Sequence, residues 1–161
     1  MTETASPPAE VDTDLWDVVQ GVELIDIRVV RWNSELLDYA SNSVGKFDPV
    51  LDVDFRRDDE TMQLRWSFDS TLSSATGQEV ATLGLTLVQT FAFTDAIANV
   101  ELSRELVQRF IAKTAVISII PFVREAVQTM TVRLGLPAVT LGLVRAGETG
   151  PQVFSVRGEQ R

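Results

Sequence analysis

The hydrophobic pattern changes its period once along the chain, and this change constrains the fold more than any other feature. Four segments alternate apolar and polar residues: 22–32, 50–57, 61–72 and 79–93. Such alternation is typical of an antiparallel sheet that has one wetter face. From Ser103 onward the apolar residues recur at helical spacing instead. The sequence therefore predicts an α+β fold, with four antiparallel strands followed by helices packed on one face of the sheet.

The helical half carries start and stop signals. Ser103 can cap a first helix, and Pro121 either opens the next helix at its first turn or kinks one. Gly135 followed by Pro137 is a stop signal, so a long helix is expected over 121–134. The residues after it alternate again and are expected to be extended.

A short helix is predicted ahead of the first strand. Asp12 or Thr13 can cap it, and Gly21 ends it. Trp16 and Val19 lie on one side of this helix.

The 161 residues suit one domain, with predicted limits at residues 13 and 146. Residues 1–12 contain Pro7 and Pro8 and little to bury, so we expect a disordered acidic N terminus. Residues 147–161 are mainly polar and are expected to form a mobile C-terminal tail.

Two residue types that carry much of enzyme chemistry are missing from the chain. Without cysteine there is no disulfide, thiolate metal site or thiol nucleophile, and without histidine the usual general base is absent. Asp52 and Asp54 point the same way from a strand and could bind a hard cation, but an exposed polar face is the simpler interpretation. We therefore expect no enzyme activity, no metal and no cofactor.

The net charge of −9 is concentrated in the first third of the chain. Residues 1–60 hold 15 acids and 5 bases, whereas residues 61–161 hold 8 acids and 9 bases. The acidic part argues against nucleic-acid binding, and it either attracts a basic partner or keeps the protein soluble. No run approaches the ~20 apolar residues of a membrane span, and the start lacks the features of a secretory signal. We expect a cytoplasmic protein without membrane insertion.

The chain holds more apolar residues than one sheet face and one helix can cover. The link over 33–49 is long and rich in apolar residues, which indicates a crossover between non-adjacent strands or a functional loop. Residues 115–123 are apolar on nearly every side, and a helix of that kind must be buried on every side. This excess indicates subunit contacts or a groove for a partner, with an ordinary large core as the alternative.

The most specific pattern surrounds Pro121. It consists of Ile119-Ile120-Pro121-Phe122-Val123-Arg124-Glu125, then Met130, Arg133, Leu136-Pro137 and Val139-Thr140-Leu141, with Leu51-Asp52-Val53-Asp54 upstream. Over about residues 22–144 the chain resembles the SecB family of export chaperones. The segment 26–31 looks closer to the SecB-like chaperones of actinobacteria, some of which serve toxin–antitoxin systems. The resemblance implies a four-stranded antiparallel Greek-key sheet with a long helix packed on one face.

The resemblance also implies a function and two sets of site residues. Members of the family hold unfolded client polypeptides in apolar grooves without ATP, which prevents folding and aggregation. They assemble as homotetramers, as a dimer of dimers packed through the long helices. The implied groove positions are Leu37, Tyr39, Phe47, Leu51, Val53, Phe55, Val139, Leu141 and Leu143. The implied oligomer-interface positions are Pro121, Phe122, Arg124, Glu125, Val127 and Met130.

Two departures bear on the partner. Export members end in an extra helix and tail that dock the SecA motor, whereas residues 148–161 carry no helix pattern. Asn33 stands where an acid that receives SecA is expected. SecA is therefore disfavoured as a partner, and a dedicated client such as an antitoxin is favoured. The alternative functions are a carrier of small hydrophobic ligands, an adaptor for a single partner, and an enzyme that uses carboxylates.

Overall fold

The regular elements lie within residues 13–98, 100–141 and 154–160, which the computed structural model describes. The predicted disordered N terminus and Leu143 fall outside these ranges. In chain order the elements are α1 (Thr13–Gly21), β1 (Val22–Leu36), β2 (Lys46–Arg57), β3 (Thr61–Ser73), β4 (Glu79–Phe93), α2 (Arg104–Phe110), a single π-helical turn (Ile111–Ala115), α3 (Val116–Arg133) and β5 (Phe154–Gln160).

The sheet has the strand order β1-β4-β3-β2-β5. The strands β2, β3 and β4 form an antiparallel meander, and β1 pairs antiparallel with β4, so the first four strands make the predicted Greek key. The segment 37–45 crosses from one edge of this four-stranded unit to the other, which confirms the predicted crossover. The crossover is shorter than predicted, because β1 continues to Leu36 and β2 begins at Lys46.

The helices cover one face of the sheet. Every second residue of β3 from Met62 to Phe68 is almost fully buried, as the alternation predicts. The rings of Phe91 and Phe110 meet edge to face across the layers, with centroids 5.2 Å apart. The helical side of this core consists of Val107, Phe110, Ile111, Ala115, Val116, Ile119, Val123, Ala126, Val127 and Met130.

The long helix begins earlier than the sequence predicted. Ser103 caps α2 as expected, since its Oγ accepts the N–H of Leu106 at 3.1 Å. Helical backbone then runs without a break through α3, and Pro121 lies inside α3 rather than at its start. A proline removes one helical N–H, whose partner would be the carbonyl of Ile117. Ile117 is exposed, so the missing hydrogen bond falls on the outer side of the helix.

The helix ends as predicted. Gly135 has φ of 75°, and its N–H donates to the carbonyl of Val132 at 3.0 Å. The N–H of Leu136 donates to the carbonyl of Thr131 at 3.0 Å. These two bonds form a Schellman motif, in which glycine supplies the left-handed residue.

The helical run Arg104–Arg133 is long and apolar enough to cross a membrane by length and composition. Arg109, Lys113 and Arg124 interrupt this helix, so the sequence still contains no unbroken run of ~20 apolar residues. The packing of the helix accounts for its composition, because Phe110, Ile119 and Met130 lie on its inner side at 0% exposure.

Two further elements differ from the sequence expectations. In α1 the buried residues are Leu15 and Val18, whereas Trp16 is 54% exposed. Part of the expected mobile tail forms β5, which pairs in parallel with β2. Seven residues with weak alternation do not predict a strand, because their pairing partner lies about a hundred residues away in the sequence.

Candidate functional site

The clearest surface feature is a set of large apolar side chains that the protomer leaves uncovered. These exposed side chains fall mainly on β1, on the crossover segment and on α3. They are Leu24, Ile25, Val29, Val30, Trp32, Leu37, Tyr39, Ile117, Phe122 and Val132, with Trp16, Val50 and Val100 elsewhere. Large apolar side chains that a protomer leaves uncovered in such number are typical of surfaces that bind a partner.

The strand β1 carries the largest share because the helical layer covers only part of it. Val29 lies opposite Leu87 in the ladder and is 53% exposed, while Leu87 is 1% exposed. Trp32 and its neighbour Leu85 show the same contrast, at 36% and 1%. The helical layer therefore covers this part of β4 and leaves the neighbouring part of β1 exposed. In the described part of the chain β1 pairs on one side only, so its other edge presents free backbone groups.

A pocket of about 380 Å³ opens where the helical layer meets β1. Its wall is apolar except for a rim of Lys113, Thr114 and Ser118. The remaining lining residues are Val19, Val22, Leu24, Phe91, Phe110 and Ile117. The pocket lies beside the π-helical turn, a feature that often marks functional positions in helices.

A buried polar network fastens the helix to the sheet next to this pocket. The Oε1 atom of Gln89 accepts the indole N–H of Trp66 at 2.9 Å. The Nε2 atom of Gln89 donates to Ser118 Oγ at 2.7 Å and to the carbonyl of Ala115 at 3.4 Å. Gln89 is fully buried, so these bonds replace the water that its amide loses. The network fixes the position of α3 over β3 and β4.

The structure divides the predicted groove residues into exposed and buried groups. Leu37 is 40% exposed and Tyr39 is 87% exposed, and both lie on the crossover segment. Phe47 lies on β2 rather than in the crossover, half-buried with its ring 6.3 Å from that of Phe68. Val139 and Leu141 are partly buried against the core, beside α3. Leu143 lies outside the described residues.

The other three predicted groove residues lie in the core. Leu51, Val53 and Phe55 are 3%, 0% and 4% exposed, because they face the helical layer from β2. In this arrangement they do not line an open groove, and their role in client binding stays a prediction that requires the covering segment to move. A charged substitution at Val53 would place an ion in the core.

The predicted interface on α3 is also divided. Pro121, Phe122 and Glu125 are exposed and available to a partner. Val127 and Met130 are fully buried in the protomer core, so their place in an interface stays a prediction that requires the protomer to open there. Helical geometry gives the reason, since both residues follow Val123 at helical spacing on the inner side.

The segment after α3 returns along the helix and is held by polar contacts. The Nε atom of Arg124 donates to the carbonyl of Leu141 at 3.3 Å. Gln128 Nε2 donates to Thr140 Oγ1 at 3.0 Å, and the N–H of Val139 donates to Thr131 Oγ1 at 3.2 Å. These bonds place residues 138–141 against α3 and assign Arg124 a contact within the protomer.

The opposite sheet face carries several charged side chains that form ion pairs. Arg31 and Asp69 pair across it at 2.5 Å. Among the described residues, no three acidic side chains come close enough to hold a metal ion, and Asp52 and Asp54 have no third acid. At the β2–β3 turn the N–H groups of Glu60 and Thr61 donate to Asp58, which lowers the pKa of its carboxyl group below 3.8.

The sequence analysis did not predict that the apolar side chains of β1 are exposed. Two irregularities shift the register, between Leu24 and Asp26 and between Val29 and Arg31. The adjacent apolar residues Val29 and Val30 were the available signal, because consecutive apolar residues break a strict alternation.

Comparison with known proteins identifies a matching fold among solved structures. No protein-family model and no curated protein matches the chain. The SecB-like chaperone Rv1957 of Mycobacterium tuberculosis, solved with a ChAD peptide from the Rv1956 HigA1 antitoxin, is 19% identical and has a TM-score of 0.73 over 85% of this chain and 100% of that one. A protein of unknown function from Streptococcus agalactiae is 14% identical, with a TM-score of 0.40 over 76% of this chain and 97% of that one. The first likeness confirms the predicted SecB-like fold.

Proposed function

We propose that this chain, which has the SecB-like fold, is an ATP-independent chaperone that holds unfolded or extended polypeptides and prevents them from folding or aggregating. The observation that carries the proposal is the exposed apolar surface on β1, the crossover segment and α3, beside a core that is already filled. The structural neighbour from Mycobacterium tuberculosis was solved with an antitoxin peptide. An antitoxin is therefore the first dedicated client to test, and export precursors are the second.

The energy of client binding comes from covering this surface. Tyr39 is 87% exposed, and an aromatic side chain presents roughly 200 Å², so a client can cover about 170 Å² there. At ~25 cal/mol per Å² this contributes about 4 kcal/mol before the cost of ordering the client. Several protomers acting on one long client raise its effective concentration, so weak sites together bind firmly.

Self-association covers the exposed apolar surface that is not used for client binding. We propose a homotetramer, built as a dimer of dimers, in which the exposed side of α3 around Phe122 and Glu125 forms one contact. The free edge of β1 offers a second contact, since an unpaired edge strand with apolar residues pairs readily with another chain. Binding of unfolded polypeptide needs no nucleotide, in keeping with the absence of a glycine-rich phosphate loop from the sequence.

The proposal also covers the location of the protein and the partners that it does not bind. We place the protein in the cytoplasm as a non-enzymatic subunit that binds neither nucleic acid nor membrane. SecA remains a disfavoured partner, because Asn33 stands on β1 opposite Gly84 where an acid was expected.

A carrier of small hydrophobic molecules is the second candidate, and the pocket favours it. Ligand pockets of about 300–1,000 Å³ with apolar walls are typical of such proteins, and the pocket beside the π-helical turn has this size and lining. A carrier would gain thermal stability from apolar small molecules, which a chaperone of extended polypeptides would not. A thermal-shift screen with fatty acids and aromatic compounds separates the two functions.

The chaperone function is tested by aggregation of a chemically denatured client on dilution, followed by light scattering with and without ATP. The protein is expected to suppress scattering equally in both conditions. Tyr39→Ser is expected to weaken suppression without changing the melting temperature, because the side chain is exposed. Val100→Ser, at 47% exposure in a segment outside the proposed surfaces, is the matched control and should act like the parent protein. Aggregation that proceeds unchanged in the presence of the protein would rule out the proposal.

A further inference from the structure

The outer edge of β2 is occupied by the C-terminal strand of the same chain. β5 runs parallel to β2 over seven residues, with Leu51 opposite Phe154 and Arg57 opposite Gln160. Without β5, β2 would be an edge strand with free backbone groups, which is a template for an added strand. The strand that fills this position therefore pairs with the strand for which the resemblance implies client binding.

The register of this pairing brings residues of opposite charge to matching positions. Asp54 stands opposite Arg157, and Arg56 stands opposite Glu159. Opposite charges at facing positions of neighbouring strands favour the pairing by a modest amount each. The acid is on β2 in the first pair and on β5 in the second. A shift by one residue would lose both pairs, because Arg157 would then stand opposite Val53 or Phe55.

The apolar positions follow the same register. Phe154 stands opposite Leu51, and Val156 stands opposite Val53. Leu51 and Val53 belong to the face of β2 that lies under the helical layer. β5 therefore has the order of residue types that a polypeptide needs to add to this edge: apolar at the first and third positions and basic at the fourth.

We propose that the β2 edge is a strand-addition site for an extended polypeptide, and that β5 occupies it as an internal competitor. This inference rests on the proposed chaperone function. The preferred client segment is parallel to β2, with apolar residues facing Leu51 and Val53 and a basic residue facing Asp54. Tethering within one chain gives β5 an effective concentration on the order of mM, so short, weakly binding segments are kept out and longer clients with further contacts displace it.

The probe for this site is a fluorescein-labelled heptapeptide with the sequence of residues 154–160. Its affinity is compared between the full chain and a variant that ends at Val153. If β5 fills the edge nine-tenths of the time, the truncated protein binds the peptide about tenfold more tightly. Equal affinity for the two proteins would overturn the inference.

Charge variants of the full chain test the same point without truncation. Arg157→Glu is expected to raise peptide affinity severalfold, because it places a like charge opposite Asp54 and loosens β5. Adding Asp54→Arg is expected to abolish the gain, since it restores opposite charges for β5 and repels the peptide's basic residue. Adding Asp48→Arg instead is expected to retain the gain, because Asp48 lies on the same strand outside the β5 register. A single affinity shared by all these variants would contradict the competitor role.

The aggregation assay separates this inference from the proposed function. Client holding by both the full and the truncated protein, together with unchanged peptide affinity, leaves the chaperone function intact and removes the competitor. Loss of client holding in both proteins removes the chaperone function, and the peptide titration then decides by itself whether β5 blocks the β2 edge.

Discussion

Replacing Phe122 with serine is expected to weaken the association of protomers and to leave each protomer folded. Phe122 lies on α3 and is 44% exposed, whereas the next residue, Val123, is 1% exposed. The ring is partly covered within the protomer and presents the rest of its surface outward. Its exposure beside Pro121 and Glu125 makes it the centre of the proposed contact between dimers.

The expected size of the effect follows from this exposure. With roughly 200 Å² for an aromatic side chain, about 90 Å² of Phe122 is available to a partner. At ~25 cal/mol per Å² each ring contributes about 2 kcal/mol, and a two-fold contact uses two rings. The loss of about 4 kcal/mol corresponds to a rise of roughly a thousandfold in the dissociation constant of the assembly.

Sedimentation equilibrium over a wide range of protein concentration measures this constant. Val100→Ser is the matched control, since Val100 has similar exposure and lies outside α3. The control should assemble like the parent protein. An unchanged dissociation constant for Phe122→Ser, with an unchanged melting temperature, would show that the ring lies outside the interface and would refute the reasoning.

Three further predictions concern the protomer. Gln89→Leu removes the hydrogen bond between Gln89 and the buried Trp66 indole and is expected to cost about 1–3 kcal/mol of unfolding free energy in urea titration. A variant as stable as the parent would contradict the network. Gly135→Ala forces alanine to adopt φ of 75° and is expected to lower the free energy of unfolding by about 1 kcal/mol, whereas Gly135→Asn should lower it less. Equal melting temperatures for the parent protein and both variants would argue against this strain. Asp58→Ala is expected to lower the melting temperature at neutral pH and to have no effect in strong acid. The lowered pKa of the Asp58 carboxyl group means that its ionised form stabilises the fold above the ordinary pKa of aspartate, and this stability is lost as pH falls through the folded-state pKa. A difference in melting temperature that does not depend on pH would contradict this cause.

The sheet could be predicted where alternation is unbroken and turns are short. The predicted limits of β4, Glu79–Phe93, match those observed, and β3 differs by one residue. The strand β1 extends past its predicted end because Asn33, Ser34 and Glu35 carry no apolar signal, yet they continue the ladder with β4. Backbone pairing to a neighbour that is already in place extends a strand beyond its own pattern.

The site could be predicted only in part, since alternation identifies an apolar strand face without identifying what covers it. The apolar faces of β1 and β2 look alike in sequence, but Val53 is buried under the helical layer while Val29 is exposed. The position of the helix decides between these outcomes, and it depends on long-range contacts such as the bond from Gln89 to Ser118. Exposure on the crossover was easier to predict, because a segment that links distant strands runs over the surface.

The most direct test of the chaperone function is the affinity of this protein for the unfolded and the folded forms of one polypeptide, measured by fluorescence titration in the absence of nucleotide. The exposed apolar surface predicts that a permanently unfolded, alkylated client binds at least about tenfold more tightly than its native form, a difference of about 1.4 kcal/mol or more. Equal affinity for the two forms, or binding to neither, would contradict the account.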